Sequence, residues 1–193
     1  MADQTEPGAE ILTADGAEER EQLRVALHES AVALKRDREA LGLVDDSEDA
    51  LAARVAALGF DGEARQIFDL LPLVHVAWAD GEVQPGERNA IIGLLRTRGI
   101  PLGKAYTTML ALLEKQPSTE YLEESLVLLR ALIERGDAAK AKTIVGLCIL
   151  VAEAAGGFLG IFSPISKVEK QAIEQIAERL GPAALDEFRR RLG

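Results

Sequence analysis

Three carboxylates crowd the segment Asp80-Gly81-Glu82-Val83-Gln84-Pro85-Gly86-Glu87, and a fourth, Glu169, closes Ile165-Ser166-Lys167-Val168-Glu169. Carboxylate oxygens at such spacing suit two kinds of chemistry. They can coordinate a hard dication such as Ca²⁺ or Mg²⁺, which takes oxygen ligands. They can also accept from the unpaired backbone N–H groups that every helix start leaves over. On the first use the ligands would be Asp80, Glu82 and Glu87. On the second, Asp80 accepts from its own turn, Glu87 caps a helix and Glu82 is solvated. The offsets of acid, glycine, apolar residue and acid match the later part of an EF-hand loop. The earlier ligand positions would be Val76 and Trp78, which cannot coordinate, so an EF-hand is excluded. A shallow, weak, oxygen-ligand site is the most this segment allows, and zinc does not suit it.

Other chemistry is thin. The sequence has no nucleophile elbow, no phosphate-binding glycine loop ending in Lys-Ser/Thr and no zinc helix with paired histidines. Gly156-Gly157-Phe158-Leu159-Gly160 follows a helical pattern, not a strand, so a dinucleotide loop fails on context. His75 reads as a satisfied core histidine, His28 as a solvated one and Trp78 as a core anchor. Cys148 lies in the apolar run Ile144-Val145-Gly146-Leu147-Cys148-Ile149-Leu150 with no basic neighbour, as a small buried hydrophobe would.

The elements that must position these residues are helices. Ala and Leu are abundant, aromatics make up 4%, and no alternating β-branched run is bounded by turn signals. A helix is predicted from about Ala17 to Leu41, with the stripe Leu23, Leu27, Leu34 and Leu41. Ser30 and Asp37 interrupt that seam, which favours docking on the protein's own body over a free coiled coil. A short helix ends at Gly59. A longer one is predicted from Gly62 to Ala79, apolar nearly all round and kinked at Pro72. Pro85 opens a helix to Thr97. Further helices are expected at about 101–115, 118–135, 138–155 and 167–180, with a last short one after Gly181-Pro182. From Thr143 to Ser166 the only charge is Glu153, yet Gly156-Gly157 and Pro164 interrupt the run, so it reads as a buried helix and loop, not a membrane span.

The formal charge is −10. Residues 1–50 hold 14 acidic and 5 basic side chains, so the acidity belongs to an N-terminal arm and the rest is nearly neutral. No basic stripe is present to displace counterions from phosphate, which argues against nucleic acid. One cysteine excludes an intramolecular disulfide and the acidic N-terminus is unlike a signal peptide, so a cytoplasmic location is expected.

The acidic corner has an echo. Val151-Ala152-Glu153-Ala154-Ala155-Gly156-Gly157 ends a helix, and Ile165 and Glu169 take the places of Val83 and Glu87. Gly156 stands where Asp80 stood, and the second copy carries a six-residue insertion around Phe158–Phe162. Leu71 to Val83, continued by Glu87-Arg88, resembles the first signature of the tellurite-resistance TerB-like family. Ala152 to Gly160, continued by Val168-Glu169-Lys170, resembles the second. The likeness covers roughly residues 60–181. The predicted helices make an all-α bundle of eight or nine; the likeness implies that it is built from two related halves, about 45–100 and 101–193, and the acidic arm at 1–44 lies outside that likeness. It further implies a bacterial stress role and a divalent cation, with Asp80 and Glu87 matching the first motif and Glu169 the second. A non-catalytic module that docks protein partners, with a weak Ca²⁺ or Mg²⁺ site, is therefore expected. The alternatives are a metal-free oligomerisation protein and a carboxylate-based hydrolase. In the first, the N-terminal helix self-associates and the arm meets a basic or membrane-associated partner. In the second, no acid–base pair can be named.

Overall fold

The computed structural model describes residues 14–41, 47–137, 139–155 and 165–193. Among them are nine α-helices and one 3₁₀ segment, with no strand. The helices are α1 (Ala14–Leu41), α2 (Glu48–Ala57), α3 (Leu71–Ala77), α4 (Pro85–Thr97), α5 (Lys104–Glu114), α6 (Thr119–Arg135), α7 (Ala139–Ala154), α8 (Lys167–Leu180) and α9 (Pro182–Leu192), the 3₁₀ segment being Gly62–Leu70. The all-α class agrees with the sequence. The loop carrying Gly156 and Phe158–Phe162 lies outside the described residues.

Local chemistry explains most boundaries. Ser47, Ser118 and Ser166 accept from backbone N–H groups at the starts of α2, α6 and α8, and the Asp137 carboxylate accepts from Ala139 N at 2.8 Å. Pro85 and Pro182 open α4 and α9, where a missing N–H costs nothing. Gly81 takes φ 98°, which a side chain would strain, and so turns the chain out of the first corner.

One boundary departs from the expected pattern. The predicted helix Gly62–Ala79, kinked at Pro72, divides: Gly62–Leu70 winds as a 3₁₀ helix and α3 starts at Leu71 with Pro72 in its first turn. Proline has no N–H to offer and its ring crowds the carbonyl of residue 68. The chain therefore restarts the α-helix there instead of bending one.

Helix α3 is the hub. Its residues Leu71, Pro72, Leu73, Val74, Val76 and Ala77 are all buried, and it packs on α4, α5, α6, α7 and α8. Around it, Ile91 and Leu95 from α4, Val145 and Cys148 from α7, and Ile173 and Ala177 from α8 are almost completely shielded. Such burial is worth about 1.5–3 kcal/mol for each large apolar side chain. Helix α1 lies along α5 and α6 with Leu27 and Ala31 in the core. Arg20 clamps it there, donating to Glu114 at 2.8 Å. No helix among the described residues is long and apolar enough to cross a membrane.

Candidate functional site

Two helix starts share one design. At α4 the backbone N–H of Gln84 donates to Glu87 Oε2 at 2.8 Å; at α8 that of Ser166 donates to Glu169 Oε2 at 2.7 Å. Ser166 Oγ completes its box by accepting from Glu169 N at 3.1 Å. Both glutamates sit three residues into a capping box and both are buried. The same offset in the chain separates Glu87 from Glu169, Ile91 from Ile173 and Gly99 from Gly181. The isoleucines are fully buried and the glycines have positive φ.

The two corners interlock. The start of α4 meets the end of α7, where a Cβ added to Gly86 would lie 1.9 Å from the Ala154 carbonyl oxygen. In return the start of α8 faces the end of α3, where Val168, Trp78 and Ala79 line one groove. This crossing brings Glu87 and Glu169 within electrostatic reach. Burial pushes the Glu87 carboxyl up to about 7, and the negative charges of Glu169 and Asp80 add to it. The bond from Gln84 opposes the rise.

The remaining predicted ligands stay outside. Asp80 is exposed and accepts from Glu82 N at 3.3 Å, within its own turn. Glu82 is exposed and accepts from Gln84 Nε2 at 2.8 Å. Against the needs of a hard dication, the corner offers the right atoms in too small a number. Among the described residues no three His, Cys, Asp or Glu side chains are grouped as a metal would require. Glu87 and Glu169 already spend one oxygen each on a cap. An ion here would take the two glutamates and complete its shell with water, as Mg²⁺ commonly does.

A second feature escaped the sequence reading. Between α3, α6 and α8 runs an open groove of about 640 Å³, with Leu122, Leu126 and Ile176 on its apolar side. His75 lines it and is not the satisfied core histidine expected. Burial lowers its pKa to about 4, and Nε2 is buried without a hydrogen-bond partner. Trp78 beside it donates from Nε1 to the Leu112 carbonyl at 2.8 Å, which fixes the ring. A signal was present in the sequence. His75 and Trp78 occupy the places held by Val151 and Ala154 in the echo, and Val168 occupies that of Gly86.

Cys148 behaves as read. It is fully buried, and burial raises its thiol far above the ordinary range. Comparison with protein-family models, with curated proteins and with solved structures gave no match.

Proposed function

We propose that this chain is a non-catalytic, TerB-like helical module that docks a protein partner in the groove between α3, α6 and α8. The observation that carries this reading is the groove's make-up: apolar Leu122, Leu126 and Ile176 beside exposed Gln175, Glu178 and Arg179. Concave surfaces that mix apolar area with a few polar groups are where ligands gain both affinity and orientation. The crossed corners below it act as the frame, holding α3 and α8 at a fixed separation. A photo-crosslinker at exposed Gln175, inside the groove, is expected to trap a discrete partner in cells. The same group at exposed Glu63, on the 3₁₀ segment, is expected to trap none. Equal adducts from both positions would remove the docking reading.

A second reading adds a weakly bound Ca²⁺ or Mg²⁺ at Glu87 and Glu169, with Asp80 contributing charge. What favours it is that the charges of Glu169 and Asp80 add to the burial that keeps Glu87 protonated, and a dication would relieve that repulsion. Titration to millimolar Ca²⁺ or Mg²⁺ is expected to shift the amide resonances of residues 84–88 and 166–170. Glu169→Gln is expected to abolish those shifts. A wild-type protein indifferent to both ions would leave only the cap.

A further inference from the structure

We propose that the outward face of α1 pairs with the same face of a second copy of this chain, the two helices running antiparallel. Helix α1 contributes no residue to the groove between α3, α6 and α8, so the pairing does not depend on the docking reading.

Packing of α1 leaves this face over. Leu27 and Ala31 are buried, and Leu23 and Leu34 lie against the core, so the leucine seam is used within the chain. On the far side of the helix, Glu18, Val25, His28, Glu29, Val32 and Arg36 follow one another at helical spacing, and all six are exposed. Val25 and Val32, at 50% and 42% exposure, place two large apolar side chains on one stripe. Charge along that stripe is ordered. Acids stand at its start, Glu18 with Glu21 beside it, and bases at its end, Arg36 with Lys35 beside it. Asp37 projects about 100° away from Arg36 around the helix. Among the described residues no ion pair holds Glu18, His28, Glu29 or Arg36.

An acidic-to-basic order is complementary to its own reverse, and a two-fold axis between His28 and Glu29 supplies that reverse. Val25 then meets Val32 of the second copy, His28 meets its Glu29, and Arg36 stands opposite its Glu21 with Glu18 one turn away. Each contact occurs twice. Glu21 already accepts from Arg24 and Lys115, so Glu18 is the carboxylate left for Arg36. A parallel pair would set Glu29 on Glu29 and Arg36 on Arg36, and like charges so placed repel. The body supplies a seat. Val25, His28 and Glu29 also line a pocket of about 310 Å³ with Leu112, Pro117 and Tyr121, so the pocket opens on this same face. Val32 of the second copy, set against Val25, comes to its mouth. From Glu18 to Arg36 the stripe is about 27 Å long. One helix face of that length gives an interface at the small end of specific ones, and therefore a reversible dimer.

Sedimentation velocity on the full chain measures the pairing. The wild type is expected to show a monomer–dimer equilibrium that added salt weakens. Val32→Ser should weaken the dimer about tenfold, because both copies lose an apolar contact. His28→Glu sets like charges at both central crossings, and so does the double variant His28→Lys/Glu29→Lys; each alone should be monomeric. Mixed together, these two variants restore opposite charges at both crossings and should form a heterodimer at least as tight as the wild-type dimer. All these positions are exposed, and circular dichroism checks that each variant is folded. A wild type that stays monomeric up to millimolar concentration would overturn the proposal. A dimer indifferent to the substitutions would put the contact on another surface, with the same consequence. A mixture of folded variants that fails to associate would rule out the antiparallel register. A monomeric chain that crosslinks from Val32 to a different protein would give the face to that protein and end the case for self-pairing.

Discussion

Two junctions hold the centre of this bundle, and they differ in one respect that matters. Where α4 starts, Gly86 lets the helix close on the end of α7, with the Ala154 carbonyl where a side chain would be. Where α8 starts, Val168 stands in the same register, half of it exposed, and Trp78 replaces the alanine opposite. One seam is shut; the other is the groove. Both starts carry the same capping box, the same buried glutamate and the same buried isoleucine, so the frame is common to the two. The side chains at the next positions along decide whether that frame closes as core or opens as surface. A groove can thus arise from two steric changes to a helix pair whose frame is otherwise the same.

The largest effect should come from transferring one junction's side chain to the other. Gly86→Val drives a branched side chain into the backbone at Ala154, where rigid atoms cannot yield. We expect a loss of about 3 kcal/mol in urea unfolding. The reverse change, Val168→Gly, removes a side chain that is already half in water. It should cost only about 0.5 kcal/mol, mostly from helix propensity. Similar losses from the two substitutions would erase the distinction between a closed and an open seam.

A smaller and more diagnostic effect concerns the charges between the junctions. Folded Glu87 holds its proton up to about pH 7, whereas in the unfolded chain it releases it near the ordinary 4.5. Between those values the folded state binds more protons than the unfolded one. Stability should therefore be highest below about pH 4.5 for this group, fall as the pH rises to 7, and level off above it. The full excursion is on the order of 3 kcal/mol. Glu87→Gln keeps an oxygen for the Gln84 N–H and removes the charge. It should flatten this slope and raise stability at pH 8 by about 1–2 kcal/mol. Glu169→Gln should leave Glu87 titratable but move its carboxyl titration, followed by ¹³C resonances, to lower pH. A Glu87 titration indifferent to Glu169 would mean that the two corners do not communicate.

Those charges also mark the limit of what the sequence could convey. Helix starts were legible because capping is local: Ser47, Ser118, Asp137 and Ser166 each bond to an amide two or three residues on. The turn at Gly81 was legible for the same reason. The register shared by Glu87 and Glu169 could be read as an echo, but their proximity could not, because it depends on α3 and α7 crossing between them. Pro72 was misassigned because its cost to a helix depends on where that helix begins. The chain settles this by winding Gly62–Leu70 as 3₁₀. His75 was misread because an unsatisfied nitrogen is a property of the space left by three helices. No neighbour in sequence records it.

The smallest expected effect compares the caps themselves. Serine is among the strongest N-cap residues because its short side chain reaches the N3 amide without losing much freedom, and Ser166 does so at 3.1 Å. Gln84 holds the matching place at α4 with a longer side chain whose amide also donates to Glu82. Ser166→Ala should therefore cost about 1 kcal/mol, and Gln84→Ser should gain a few tenths, about 0.5 kcal/mol. Both return bonds, from the N-cap amide to Glu87 and to Glu169, survive these changes, so the buried carboxylates stay in place. If Gln84→Ser instead destabilised the protein by as much as Ser166→Ala, the Gln84–Glu82 contact would be part of the first corner's structure. The two helix starts would then differ in their caps as well as in the side chains that follow.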